Sequence, residues 1–297
     1  MGHHHHHHHE EGATKNIKTA FFLNLSFTLI EIIGGIYTNS LAIVSDAVHD
    51  LGDSISLGMS WYFQKISTKK ANSKYSYGYK RFSLLGAIIN SIILIIGTVF
   101  IIKEAIPRII NPQAADAHGM MWLAILGVLV NGAAVLKLKK GSSINERVVS
   151  LHLLEDVLGW IAVLIASIIM QFWNVPILDP ILSLAIACYV LFNVFKNLKE
   201  SISIILQRVP DQLSVKAIEK KVIAMKGIKS VHDCHLWTMD GEYHVLSMHL
   251  VLNDPYQKET TALKNQVRHL LKQEFHIEHC TLELDQNPED CAYKDCN

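Results

Sequence analysis

The sequence predicts a membrane-embedded all-α domain of six helices joined to a small α+β domain of order αββαβ. Three observations carry that expectation. Six apolar stretches, at about 17–37, 42–64, 83–106, 119–138, 146–173 and 178–206, are each long enough for a bilayer, which takes about 20 residues. Charge is partitioned, with residues 207–297 holding 25 of the 54 Lys, Arg, Asp and Glu side chains. Past Pro210, continuous apolar runs give way to helical and alternating periods.

The chain opens on MGHHHHHHH, a purification tag with seven of the 17 histidines, so residues 1–13 are set aside as tag and linker. No cleavable signal peptide is apparent. The membrane domain is expected over 14–207. The segment after the second span carries six Lys/Arg and KLKKGSSINER after the fourth carries four. TNS after the first span and WNVPILD after the fifth have none. This asymmetry puts both termini in the cytosol. The fifth and sixth spans exceed the minimum length, so their cytosolic ends are expected to project beyond the hydrocarbon.

The remaining domain, 208–297, has about 90 residues, enough for a modest core. SVKAIEKKVIAMK places Val215, Ile218, Val222 and Met225 on one helical face. KSVHDCHLWTM and EYHVLSMHLVL are strand-like runs around Asp240-Gly241, a hairpin signal. KETTALKNQVRHLLKQEF reads as a second amphipathic helix and HCTLELD as a third strand, giving a two-layer domain with helices on one face. QNPEDCAYKDCN reads as an irregular tail. Net charge is zero and no basic stripe interleaves with aromatics, so nucleic acid is not an expected partner. The five cysteines, four of them past residue 207, read as free or buried thiols in a reducing compartment, with metal ligation the alternative.

The chemistry concentrates in DAVHDLGD, residues 46–53. Positions i, i+3, i+4 and i+7 share a helix face, so Asp46, His49, Asp50 and Asp53 crowd one side of the second span. His49 and Asp53 form an H-x-x-x-D pair, and SLHLLEDVLGW in the fifth span repeats it with His152 and Asp156. A single such pair on a soluble helix more often bridges neighbouring helices. Two copies in antiparallel membrane spans favour metal, because intramembrane carboxylates are costly without partners. Two imidazoles and two carboxylates suit four-coordinate Zn²⁺; Mg²⁺ and Ca²⁺ prefer all-oxygen shells. Asn24, Glu31, Asn90 and Asn131 read as interhelical hydrogen-bond partners rather than ligands. Asp46 and Asp50 either line a path to the site or meet water.

With six spans, paired H-x-x-x-D motifs and an αββαβ tail, the chain resembles the cation diffusion facilitators, zinc–proton antiporters. EIIGGIYTNSLAIVSDAVHDLGDSISL, YGYKRFSLLGAIINSIIL, SLHLLEDVLGWIAVLIAS, DPILSLAIA and SVHDCHLWTM carry the resemblance over nearly the whole chain after the tag. It implies a six-helix transporter domain with a ferredoxin- or metallochaperone-like cytosolic domain, a secondary transporter and no enzyme. It implies a transport site of His49, Asp53, His152 and Asp156, and a homodimer joined partly through the tails. A tail Zn²⁺ site of His232, His249 and Asp285 follows from matching positions, and a further one of His279, Cys291 and Cys296. The bland reading of these tail residues is a solvated, helix-free sheet face. The chain departs from the family pattern at Asp50 and Glu155, each adding an acid near the site.

The resulting expectation is zinc efflux from the cytosol by Zn²⁺/H⁺ antiport, in a lipid-embedded, multi-pass homodimer of the bacterial inner membrane. The rivals are an intramembrane metal-dependent hydrolase and a membrane metal sensor. A hydrolase needs an open coordination position and a general base, and no H-E-x-x-H occurs in the chain.

Overall fold

The structure, a computed structural model, describes residue 22 and residues 25–138, 144–253 and 260–285; side chains 57, 60, 61, 64, 137, 138 and 144–152 lie outside that description. It has two compact units, one of residues 1–62 and 86–197 and one of residues 63–85 and 198–297.

The first unit is helical. Its elements are α1 (Leu25–Thr38) and α2 (Leu41–Ser67), α3 (Phe82–Ile110), α4 (Ala117–Leu138), α5 (Ile144–Phe172) and α6 (Leu178–Ile205). The last four contain segments long and apolar enough to cross a membrane, Phe82–Ile110, Ala117–Leu136, Leu153–Phe172 and Leu178–Ile205. At 27 residues α2 also has the length, but its aspartates and histidine dilute its hydropathy.

Small residues set the helix contacts, as expected where lipid removes the hydrophobic drive between helices. A Cβ at Gly127 of α4 would stand 2.3 Å from Cδ2 of Trp160 on α5. Trp160 is fully buried in a cluster with Phe27, Ile43, Met120 and Val163, and Phe27 meets its ring edge-on at 5.7 Å. Between α2 and α3 the fit is reciprocal. Gly52 receives Leu94, and Gly97 receives Val48.

The start of α2 is capped from a distance. Ser40 Oγ accepts from the Ile43 N–H at 3.2 Å and donates to Asp179 Oδ1 of α6. The N–H groups of Leu41 and Ala42 donate to the same carboxylate at 2.8 and 3.2 Å. Asp179 is 2% exposed, and its carboxyl group faces these donors at a helix N-terminus, where the dipole favours an anion.

The second unit holds α7 (Val215–Ile223), β1 (Ile228–Thr238), β2 (His244–Leu252), α8 (Thr260–Phe275) and β3 (Ile277–Asp285). Ser214 caps α7 by accepting from the Ala217 N–H. β1 and β2 pair antiparallel across a turn in which Gly241 takes φ 100°. β3 returns parallel to β2 after α8, for a sheet order β1-β2-β3. The core joins Ile218 and Val222 of α7 with Leu263, Val267 and Leu271 of α8 and Leu236, Leu246, Met248, Leu250 and Leu282 of the sheet. Alternation leaves the other face of β3 polar, with His279, Thr281, Glu283 and Asp285, while on β2 that face carries Ser247 and His249 between the buried Val245 and Val251.

Candidate metal sites

His49 and Asp53, one helical turn apart on α2, bring Nε2 and Oδ2 to 3.5 Å, with both side chains partly exposed. Asp156 of α5 is buried, near enough to Asp46 and Asp50 for their charges to interact. The His152 side chain lies outside the described residues. Without it, His49, Asp53 and Asp156 do not draw one ligand atom each to within 4.8 Å of one another. Glu155 is exposed, so of the two additional acids only Asp50, buried with Asp46, joins the cluster.

Glu31 is fully buried among Asp46, Asp50, Asp156 and the Trp160 indole. Asn90 Oδ1 and Asn131 Nδ2 make no hydrogen bond among the described residues. Asn24 lies outside the described residues.

In the second unit His232 of β1 and His249 of β2 are cross-strand partners, and Asp285 ends β3 beside them. Asp285 Oδ2 lies 2.9 Å from both His232 Nε2 and His249 Nδ1. Among the described residues this trio is the one group of three or more His, Cys, Asp or Glu whose ligand atoms all fall within 4.8 Å of one another. His249 Nδ1 and Asp285 are aligned for a hydrogen bond. His232 Nε2 is equally near but misaligned, and both its ring nitrogens are buried without a hydrogen bond. Two imidazoles around a shared carboxylate oxygen, one ring unsatisfied, are a donor set that fits Zn²⁺.

The sequence reading missed Asp233. It adopts φ 48° at a register shift between His232 and His235, conformationally costly for a non-glycine residue. The bulge turns its carboxylate to His235 Nε2 at 2.8 Å and His249 Nε2 at 3.4 Å. Glu283 Oε2 also lies 3.4 Å from His249 Nε2. The signal was the H-D-C-H run, whose strict alternation would have sent Asp233 to the opposite face.

His279 is exposed and meets the Tyr77 ring edge-on at 5.5 Å; Cys291 and Cys296 lie outside the described residues. Cys234 and Cys280 pack against the core as free thiols. Burial, with Glu219 and Asp233 nearby, pushes Cys234 up to about 12. Burial also raises Cys280, against the opposing Arg268. In the metal-free protein both thiols are therefore protonated at neutral pH.

The Cation efflux transmembrane domain matches residues 17–206, and the cytoplasmic domain of cation efflux proteins matches 210–287. The chain belongs to the cation efflux family. It is an integral, multi-pass cation transporter, not an enzyme. Zinc transporter ZitB of Pectobacterium atrosepticum is 35% identical over 278 residues, covering 92% of this chain and 86% of that protein. A cadmium, cobalt and zinc/H(+)-K(+) antiporter of Bacillus subtilis is 34% identical, over 96% and 92% of the two chains. The metal cation efflux system protein CzcD of Cupriavidus metallidurans is 31% identical, over 97% and 92%. Membership of the cation efflux family removes the hydrolase reading.

Proposed function

We propose that the protein exports Zn²⁺ in exchange for protons, holding the ion between His49 and Asp53 of α2 and His152 and Asp156 of α5. The observation that carries this reading is the His49–Asp53 pair, 3.5 Å apart on a helix of membrane-spanning length. Two imidazoles and two carboxylates close a tetrahedral shell. Each ligand must shed its proton to hold metal, so Zn²⁺ and H⁺ compete for the same atoms. An imidazole's ordinary pKa near 6.5 keeps that competition within physiological pH. The names of the ZitB and Bacillus relatives support zinc as cargo and protons as counter-ion.

Residues 14–207 then form the transport domain and 208–297 a cytosolic tail. Both termini face the cytosol of a bacterial inner membrane, and two copies join through their tails. In the tail, His232, His249 and Asp285 hold a resident Zn²⁺, with Asp233 beside His249. His279, Cys291 and Cys296 form the weaker second site. Zinc flux in proteoliposomes tests the transport site. Asp53→Ala or Asp156→Ala is expected to reduce flux to that of empty vesicles while leaving a folded dimer. Wild-type flux in either variant rejects the assignment.

A further inference from the structure

We propose that the loop between α2 and α3 is a docking surface for the phosphate headgroup of an anionic phospholipid, at the membrane face where those two helices emerge. The sequence supplies the charge. From Ser54 to Lys103 the chain has no Asp or Glu, while Lys65, Lys69, Lys70, Lys74, Lys80 and Arg81 fall between the two spans. Lys65 lies in the last turn of α2 and Arg81 directly precedes α3, so the run stays beside the membrane. Elsewhere basic side chains find carboxylates: Arg108 with Glu104, Arg208 with Asp211, Lys221 with Glu274 and Lys272 with Glu278. Among the described residues, none of the six in this loop makes an ion pair. Lys69 Nζ lies 5.9 Å from the centre of the Tyr79 ring and Lys80 Nζ 4.3 Å from that of Tyr243, contacts that leave the positive charge uncancelled. Lys65, Lys69, Lys70 and Lys74 are exposed.

A solvated charge run needs no scaffold, and this one has one. Asn72 Oδ1 accepts from the N–H groups of Lys74 and Tyr75 at 2.9 and 3.0 Å, and Asn72 Nδ2 donates to the Tyr79 hydroxyl at 2.8 Å. The Tyr79 ring packs on those of Tyr75 and Phe82 at 4.5 and 5.2 Å. Gly78 takes φ 78°, and a Cβ there would stand 3.1 Å from the Lys69 carbonyl oxygen, so the loop doubles back on the end of α2. A backbone held in this way has less left to order on binding than a free segment. Tyr75 and Tyr77, 43% and 41% exposed, are amphipathic rings of the kind that settle at headgroup level. A headgroup with net negative charge matches lysines that lack a protein counter-ion, each strengthening attachment by about fivefold. A zwitterionic headgroup cancels its own phosphate charge and loses that gain.

The test uses the full-length, tag-free protein in neutral detergent, with bound lipid counted by native mass spectrometry. Phosphatidylglycerol is expected to bind about tenfold or more tightly than phosphatidylcholine of the same acyl chains. The combined variant Lys69→Gln, Lys70→Gln, Lys74→Gln is expected to remove that preference. The control variant Lys216→Gln, Lys220→Gln, Lys226→Gln, whose lysines are exposed in the second unit, is expected to keep it. Excess inorganic phosphate is expected to leave the lipid bound. Equal binding of the two lipids, a preference unchanged by the loop variant or lost equally in the control, or displacement by inorganic phosphate overturns the proposal. Neither variant touches the transport site, so zinc flux decides that reading independently.

Discussion

At the scale of single residues, the proposed transport site makes His49 the position at which metal preference is best tested. Replacing its nitrogen by a carboxylate oxygen hardens the donor set and adds charge beside Asp46, Asp50 and Asp53. His49→Asp is therefore expected to narrow the zinc-to-cadmium transport ratio several-fold, measured as paired fluxes in proteoliposomes; an unchanged ratio removes His49 from the selectivity determinants. The His49–Asp53 contact was legible because helical periodicity converts spacing directly into a shared face. Asp233 was not legible. Its left-handed backbone at a bulge breaks the alternation by which strand residues are assigned to faces. Glu31 was visible as an intramembrane acid, but only the fold reveals that Asp46, Asp50, Asp156 and the Trp160 indole surround it.

At the scale of elements, the helix spans and the αββαβ order were readable from periodicity and turn residues, whereas the helix contacts were not. The Gly127–Trp160 contact illustrates the reason: an isolated glycine in an apolar run carries no sign of what fills the space above it. Gly127→Ala sets a methyl 2.3 Å from a fully buried indole that Phe27 flanks, and overpacking of that kind costs about 1–3 kcal/mol. Thermal unfolding in detergent is expected to show a lowered midpoint for Gly127→Ala. Gly132→Ala, with nothing within 4 Å of the added atom, is expected to show none.

The small sheet has its own pH dependence. Burial lowers the His244 pKa from its ordinary 6.5, with His276 adding to the effect and Asp240 opposing it. The unfolded chain then binds the proton more readily. Stability is full above about 6.5 and declines as pH falls from there through the lower folded value. Hydrogen exchange of β2 amides in metal-free, full-length protein is expected to show protection falling over that window. His244→Gln should flatten the decline.

At the scale of the whole molecule, a ligand held only by the folded tail stabilises it by mass action, about 3 kcal/mol at a hundredfold excess over Kd. His249→Ala in tag-free protein is expected to lower zinc content and remove the zinc-dependent rise in tail melting temperature, while zinc flux persists at a reduced rate. Unchanged metal content would return His249 to an ordinary solvated strand face. The Asp179 cap bears on how such a transporter can move. Three donors in the first turn of α2 are fastened to one buried carboxylate of α6. That end is a hinge pin: α2 can swing about it but cannot slide along its axis without tearing three bonds at once. At about 1.5 Å of rise per residue, His49 rides about 12 Å from the pin and Asp53 about 18 Å. A tilt of a few degrees therefore changes the reach of the two ligands unequally, loosening one side of the shell before the other.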